Sequence, residues 1–189
     1  MDLSLSDIRA DIISRLEDAA GNRRSPMHTP VVATSDADVR VMVLRAFDAT
    51  NWTLRFHTDA RSPKLRAVRG DDRIGVLFYD REDKIQIRCQ GIAGVASEGE
   101  IAEDAWRGSD SYARRCYLGE PPGNPSPAPT SGLPAWLEGV RPTEQQLLPA
   151  RANFAVLTVQ IETADWYSLA HDGHRRAVIT KDGAEWLTP

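Results

Sequence analysis

The sequence of 189 residues lacks the features of a disulfide-stabilised, zinc-binding or membrane protein. Its two cysteines, Cys89 and Cys116, stand outside any CxxC or Cys/His spacing, so neither a disulfide framework nor a zinc site is expected. No window approaches the roughly 20 apolar residues of a membrane span, and the start MDLSLSDIRADIISRLEDAA has no basic cap followed by a continuous apolar stretch. The formal net charge of -4 argues against nucleic-acid binding as the main role. We therefore expect a cytoplasmic protein that binds neither membranes nor nucleic acid.

Internal repeats, a GxGxxG motif and a regular alternation of strands and helices are also missing, which excludes a dinucleotide-binding parallel sheet. Strand patterns dominate instead, at 31–34, 39–47, 52–58, 73–80, 84–97, 153–163, 164–170 and 174–180, and the final EWLTP is expected to end the sheet. The first three strands are expected to form a meander. We interpret residues 1–189 as one mainly β domain, a closed antiparallel barrel with flanking helices.

Three helical segments flank these strands. An amphipathic N-terminal helix is predicted within residues 1–22, with Ser6 as its cap and apolar residues at helical spacing: Leu5, Ile8, Ile12, Leu16 and Ala19. A short helix begins at Ser62-Pro63 and ends at Gly70. Residues 101–118 are predicted to be helical, and the proline- and glycine-rich segment 119–134 is predicted to be a surface loop.

Two arginines bracket the apolar strand ADVRVMVLRAFD. Arg40 and Arg45 are five residues apart, so in an undistorted strand they point to opposite faces. They could simply reach water through their long stems. However, His57 and Thr58 end the next strand, and Lys64 lies in the first turn of the helix that follows. Together these groups suit a phosphate monoester, because charged side chains and a helix N-terminus all favour an anion.

The stretches RVMVLR, FHTDARSPK and IQIRCQG, in this order between Pro30 and Ser97, resemble the flavin-binding half of the pyridoxamine 5'-phosphate oxidase family. The proline-rich loop after an arginine-bearing helix is similar to that family's uncharacterised cyanobacterial-type relatives. The resemblance implies a split β-barrel that binds flavin mononucleotide (FMN). It further implies these roles: Arg40 and Lys64, with Ser62, at the FMN phosphate; Val41, Met42 and Val43 along the isoalloxazine; His57 and Thr58 as hydrogen-bonding residues; and Gln86 reaching the flavin ring.

A second part of the resemblance lies near the C-terminus. The family places a tryptophan ten residues before an arginine, both contacting FMN from the partner subunit, and Trp166 and Arg176 have that separation. A slip of one residue would make Arg175 the contact instead. The family's Arg-x-His-x-Arg ending reads here as Asp172-x-His174-x-Arg176, so an acid stands where the family has an arginine. The resemblance implies a homodimer with the cofactor site at the subunit interface.

The family's substrate-phosphate triad of Tyr, Arg and Ser at four-residue spacing is missing, although Arg114 or Arg115 could substitute. The resemblance therefore implies an FMN-dependent oxidoreductase acting on an unidentified small molecule, with Arg45 and His174 as the residues that polarise or position it. The alternative is a non-catalytic flavin-binding module, or one that holds a deazaflavin or haem. No metal site is expected, because His171 and His174 lack a third nearby ligand. Cys89 alternates onto the apolar face of its strand and is predicted to lie in the core.

Overall fold

The computed structural model describes residues 3–189, which form nine strands within one sheet and five α-helices. The strands are β1 (Val31–Thr34), β2 (Val39–Val41), β3 (Leu44–Asp48), β4 (Thr53–Asp59), β5 (Arg73–Asp80), β6 (Ile85–Ala96), β7 (Phe154–Ser168), β8 (Arg175–Thr180) and β9 (Ala184–Leu187). The helices are α1 (Leu5–Gly21), α2 (Pro63–Gly70), α3 (Glu100–Arg107), α4 (Ser111–Arg114) and α5 (Glu144–Leu147), with 3-10 turns at Arg115–Leu118, Ala135–Leu137 and Leu148–Asn153. No helix among the described residues is long and apolar enough to cross a membrane.

The sheet is antiparallel throughout and follows the order β2-β1-β5-β6-β7-β4-β3, while β8 pairs with β7 and β9 pairs with β8. β2 and β3, the strands at the two ends of this order, follow one another in the chain, so the two edges of the sheet come close together. The amides of Met42 and Leu44 donate to the carbonyls of Pro30 and His28, each at 3.0 Å, so the start of β3 lies beside the segment that leads into β1. This architecture confirms the predicted antiparallel split barrel with flanking helices.

Helix α1 closes one side of the barrel. Ile8, Ile12, Leu16 and Ala19 are fully buried, as their helical spacing predicts, and the helix packs against β3, β8 and β9. The N-cap is Ser4 rather than the predicted Ser6. The Ser4 hydroxyl accepts a hydrogen bond from the Asp7 amide, and the Asp7 carboxylate accepts one from the Ser4 amide. This reciprocal capping box satisfies two free N–H groups, whereas a cap at Ser6 would satisfy one.

The predicted continuous strand 39–47 is interrupted at Met42 and Val43, and the predicted meander is wrong. β2 pairs with β1 and β3 pairs with β4, so the chain passes from one edge of the strand path to the other between them. The register against β4 also shifts between Leu44 and Ala46, which leaves Arg45 as a bulge residue. A bulge changes the face to which the following side chains point.

The predicted strands 153–163 and 164–170 are one strand, β7. The two patterns are offset because the β6–β7 register shifts next to Gly91. A Cβ on Gly91 would lie 2.0 Å from the Gln160 carbonyl oxygen, so only glycine allows β7 to approach there. The predicted helix 101–118 is likewise divided, since α3 ends at Arg107 with Gly108 as its C-cap, and Asp110 caps the separate α4. Segment 119–134 contains no helix or strand, as predicted.

Candidate functional site

A cavity of about 420 Å³ opens where the break between β2 and β3 meets the end of β4 and the start of α2. We call it the rim cavity. It is lined by Arg40, Val41, Met42, Val43, Arg45, His57, Thr58, Asp59, Lys64, Ala113, Cys116, Tyr117 and Pro122. The structure thus brings together eight of the residues that the sequence singled out, from β2, β3, β4, α2 and the break between β2 and β3.

One end of the rim cavity is cationic. The Lys64 ammonium donates to the hydroxyls of Thr58 at 3.0 Å and Ser62 at 2.7 Å. Burial, and secondly the Arg40 guanidinium, lower the pKa of Lys64. The nearby Asp59 carboxylate is bound by Arg61 through two bonds, at 2.7 and 3.0 Å. Within residues 3–189, no carboxylate forms an ion pair with Lys64. Its hydrogen bonds go to hydroxyl groups, and the charges of Asp59 and Asp38 act on it without direct contact.

Arg40 is fixed at the same end by neighbouring strand β1. Its guanidinium donates to the Thr34 hydroxyl at 3.0 Å and to the Val32 carbonyl at 3.3 Å, and it forms an ion pair with Asp38. The Arg40 side chain is 17% exposed whereas that of Asp38 is 62% exposed. The β1 contacts therefore hold the arginine in place, and its only ion pair within residues 3–189 is with a solvent-exposed carboxylate.

Beside this cationic end lies an apolar surface. Val41 is 63% exposed, which is unusual for a large aliphatic residue in a strand, and Met42 and Val43 follow it at the break in the chain. Tyr117 and Pro122 also line the cavity. The rim cavity therefore combines a cationic end with an apolar platform, an arrangement that fits a phosphate monoester carrying a flat apolar ring system.

Polar atoms without partners border the apolar part. The Arg45 Nε and His57 Nε2 atoms are buried and have no hydrogen-bond partner among residues 3–189. The His57 ring packs edge-on against Phe154, with 5.0 Å between ring centroids. Burial, followed by the charges of Arg45 and Arg55, lowers the pKa of His57 to about 4. The imidazole is therefore neutral at pH 7, and both residues carry a buried nitrogen whose hydrogen-bonding capacity is unused within residues 3–189.

Five predicted residues do not line the rim cavity of this chain. Ser62 is joined to it through its bond to Lys64, whereas the other four are Gln86, Trp166, His174 and Arg176. Trp166 differs most from the expectation. It is 5% exposed, packs in the barrel core, and donates its indole N–H to Asp11 of α1 at 2.7 Å. In this single chain the Trp166 side chain is thus largely enclosed by the barrel and α1, and its contact with a cofactor stays a prediction.

Gln86 on β6 and Arg176 on β8 lie on the outer face of the sheet. Both pair with Tyr167, which lies on β7 between them. Arg176 binds the Asp165 carboxylate at 2.8 Å, and His174 Nδ1 lies 3.1 Å from the Tyr167 hydroxyl. Arg175 pairs instead with the buried Ser168, so its position belongs to the inner face. Of the two arginines considered, only Arg176 shares the outer face with Gln86.

The two arginines considered as substitutes for a substrate-phosphate triad are held by other groups. Arg114 is 7% exposed and binds Glu144 through two hydrogen bonds, at 2.6 and 3.0 Å. Arg115 lies over the ring of Tyr112, 3.4 Å from its centroid. Cys89 is 1% exposed in the core, as predicted, and burial raises the pKa of its thiol to about 12. No group of three potential metal ligands occurs in the described part of the chain.

Sequence reasoning missed Arg55, Cys116 and Tyr117. Arg55 is two residues before His57 on β4 and therefore shares its face, which was a usable signal. Cys116 and Tyr117 had no comparable signal, because they belong to a 3-10 turn placed by long-range packing of Tyr117 against Trp106 and Phe154.

Comparisons with known proteins agree with this geometry. Residues 10–97 match the family model for the pyridoxamine 5'-phosphate oxidase, FMN-binding domain. The chain is 26% identical over 198 residues to the pyridoxine/pyridoxamine 5'-phosphate oxidase of Gluconobacter oxydans, covering 98% of this chain and 96% of that protein. Its fold is similar to a pyridoxamine 5'-phosphate oxidase-related, FMN-binding protein from Nostoc punctiforme, with a TM-score of 0.74, 20% identity and full coverage of both chains. It is also similar to PhzG from Burkholderia lata, with a TM-score of 0.65, 18% identity, and coverage of 100% of this chain and 95% of that one.

Proposed function

We propose that this chain is an FMN-dependent oxidoreductase of the pyridoxamine 5'-phosphate oxidase-like family of FMN-binding split barrels, to which its matches point, and that it acts on a small organic substrate. The observation that carries the proposal is the rim cavity, in which a cationic end adjoins an apolar platform whose most exposed residue is Val41. The name of the full-length relative, an oxidase, favours an enzyme over a non-catalytic flavin-binding module.

In this proposal Arg40 and Lys64 hold the phosphate of FMN, with the hydroxyls of Thr58 and Ser62 completing the cradle. A dianionic phosphate supplies the charge partner that Lys64 lacks among the described residues, and each charged hydrogen bond contributes about 1.5–3 kcal/mol. Val41, Met42 and Val43 form the platform for the isoalloxazine ring. When bound, the flavin accepts hydride or electrons, and the protein supplies binding and orientation.

In this proposal Arg45 and His57 contact the ligands at the place where the cofactor would meet the substrate. Their unpaired nitrogens, Nε and Nε2, border the apolar end of the cavity, where the ring system would lie. Arg45 positions the substrate through a charge that cannot be lost at neutral pH. His57 is neutral, because its pKa is lowered to about 4, and therefore hydrogen-bonds without adding a second charge.

We further propose that the protein acts as a homodimer through the outer face of β2, β1 and β5. Val31 pairs with both Val41 and Leu77 across this face, and all three side chains are exposed, as is Tyr79. Such a continuous apolar patch is typical of a protein interface. It runs into the rim cavity at Val41, so a second copy seated on it would border the cofactor.

The same outer face carries Gln86 and Arg176. Tyr79, Gln86, Tyr167 and Arg176 are successive partners across β5, β6, β7 and β8. In a two-fold dimer, this row of one subunit would face the patch of the other. Gln86 and Arg176, together with His174 at the neighbouring turn, would then reach the cofactor site of the partner subunit.

The test is spectroscopic. Purified protein, incubated with excess FMN and then dialysed, should retain a flavin absorption spectrum at close to one FMN per chain. Stopped-flow mixing of the reduced, FMN-loaded protein with oxygen and with candidate acceptors should then show fast reoxidation. Protein that stays colourless would refute FMN binding, and sluggish autoxidation with every acceptor would favour a flavin-binding module without catalysis.

A further inference from the structure

A carboxylate lies at the rim cavity beside the proposed phosphate cradle. Asp59, the last residue of β4, is 7% exposed and lines the cavity. The Arg61 guanidinium donates to both of its oxygens, from Nε to Oδ1 at 3.0 Å and from Nη2 to Oδ2 at 2.7 Å. Arg61 is not among the residues that line the cavity. The acid therefore borders the space proposed for an anionic ligand, while its counter-charge comes from a residue outside that space.

Arg61 is fixed by the local turn and by a distant segment. Its amide donates to Asp59 Oδ1 at 2.8 Å, and the Ser62 amide donates to the Asp59 carbonyl at 3.0 Å, which closes the turn that leads into α2. Arg61 Nη2 also donates to the Gly119 carbonyl at 2.9 Å, at the start of the proline-rich segment. Glu120 adds an attraction to Arg61, but it is exposed and does not line the cavity. These contacts keep the guanidinium on the Asp59 carboxylate.

Asp59 and Lys64 are close enough to influence each other. Burial and the Arg40 charge lower the pKa of Lys64, and the charge of Asp59 opposes this shift. A buried carboxylate needs a cationic partner, because an unpaired buried charge is costly. Arg61 is that partner in this structure. Without Arg61, the carboxylate would be free to attract the Lys64 ammonium and to compete with a phosphate for it.

Arg61 also decides the charge balance of this end of the cavity. Arg40 and Lys64 bring two positive charges, and Asp38 and Asp59 bring two negative charges, so these four groups cancel. Arg61 supplies the one positive charge in excess. A phosphate monoester carries about 1.5 to 2 negative charges at pH 7, so its binding depends on that excess.

We propose that Arg61 is a positioning residue for the phosphate of the ligand: by holding the Asp59 carboxylate, it leaves Lys64 available to the phosphate and keeps this end of the cavity positive. The identification of the ligand as FMN rests on the proposed function, whereas the charge balance rests on the residues themselves. The effect is specific to the phosphate. Riboflavin, which has the ring system of FMN without the phosphate, should bind independently of Arg61.

The experiment compares FMN with riboflavin by fluorescence titration. Arg61→Leu should raise the dissociation constant of FMN about tenfold, the scale of one charge near a protein surface, and that of riboflavin by less than about twofold. Arg61→Lys should recover part of the loss, because it keeps the charge but not the fork geometry. Arg66→Leu, which removes an exposed cation of α2, is the matched control and should bind FMN within about twofold of wild type.

Variants of Asp59 test the sign of the effect. Asp59→Asn combined with Arg61→Leu removes the freed carboxylate and restores the original charge balance, so it should bind FMN within about twofold of wild type. Asp59→Asn alone should bind FMN at least as tightly as wild type, because it removes a negative charge from the cavity and keeps Arg61. A purely structural ion pair would instead lose affinity in both variants.

Each outcome decides the proposal. It is overturned if Arg61→Leu binds FMN as tightly as wild type, if that variant loses affinity for FMN and riboflavin by the same factor, or if the double variant does not recover. Melting temperatures check folding. If Arg61→Leu does not fold, Asp59→Asn alone is decisive, and weaker FMN binding by it overturns the proposal. If wild-type protein binds no FMN, the proposed function fails, and isothermal titration with inorganic phosphate takes its place. Phosphate binding that weakens in Arg61→Leu and recovers in the double variant then supports the role of Arg61, and any other result overturns it.

Discussion

Lys64 gives the sharpest prediction, because its removal should affect FMN binding and protein stability very differently. In the ligand-free protein the ammonium contacts only the hydroxyls of Thr58 and Ser62, and burial and Arg40 lower its pKa. A lowered lysine pKa means that the folded state disfavours the charged form, so the charge itself opposes folding at neutral pH. The two hydrogen bonds offset this, at roughly 1 kcal/mol each.

Lys64→Met should therefore change the free energy of unfolding of the ligand-free protein by no more than about 1 kcal/mol, because loss of the hydrogen bonds and relief of the buried charge oppose each other. FMN affinity should change much more. Loss of one charged hydrogen bond to phosphate is worth about 1.5–3 kcal/mol, or roughly a 10- to 150-fold higher dissociation constant. Urea unfolding measures the first quantity, and quenching of FMN fluorescence during titration measures the second.

Arg66→Met is the matched control, since Arg66 is an exposed cation on the same helix. It should bind FMN within about twofold of wild type, after allowance for the weak long-range effect of one surface charge. If Lys64→Met also binds FMN as tightly as wild type, Lys64 does not hold the phosphate and the rim cavity does not bind FMN in the proposed orientation. A large loss of stability in Lys64→Met would instead show that the ammonium is a structural group.

Three further predictions test separate parts of the site. Arg40→Ala should raise the dissociation constant of FMN about tenfold or more, by loss of a charged hydrogen bond; an unchanged constant in the same fluorescence titration would refute its role. His57 has a pKa of about 4 in the folded protein, compared with an ordinary value of 6.5. Between these two pH values the unfolded state binds more protons than the folded state. The free energy of unfolding should therefore fall as the pH drops from 6.5 to 4, by at most about 3 kcal/mol. His57→Gln should lose this component, seen as a smaller difference in urea-unfolding free energy between pH 7 and pH 4.5; equal pH dependence in both proteins would contradict it. Val41→Glu should convert the dimer to a monomer in sedimentation experiments, because it places a charge within the apolar patch, whereas a wild-type protein that is already monomeric would refute the interface.

The helices and strands whose boundaries depend on local chemistry could be predicted from the sequence. β5 matches its predicted bounds, because its alternation of buried and exposed residues is uninterrupted between the turns on either side. Helix α2 begins after Ser62 and ends at Gly70, as its cap, its first-turn proline and its terminal glycine indicate. In these segments the nearest neighbours in sequence decide the conformation.

The elements that were mispredicted depend on partners far away in the chain. Nothing within residues 39–47 shows that β2 pairs with β1 while β3 pairs with β4, and that difference produces the break at Met42. The length of β7 likewise depends on Gly91, about 70 residues earlier, which lets the strand bend without ending. Long-range pairing of this kind leaves no local periodic signal.

The residues of the candidate site also fall into two groups, those predicted by local sequence and those whose position depends on long-range strand pairing. Thr58, Ser62 and Lys64 occupy one strand end and the next helix start, so sequence proximity alone predicted their contact. Trp166 was predicted to contact the cofactor because it stands ten residues before Arg176. The two residues lie on different strands joined by a turn, so this separation does not determine which face of the sheet each side chain occupies. The register places Trp166 against the core and Arg176 on the outer face.

Arg45 shows what the interrupted strand contributes to the candidate site. In a regular strand Arg40 and Arg45 would lie on opposite faces, and only one of them could reach the rim cavity. The break at Met42 and the bulge at Arg45 remove that constraint, so that both arginines line the rim cavity. Under the proposed function, the same irregularity lets one arginine hold the phosphate of the cofactor while the other lies where the substrate would meet the flavin.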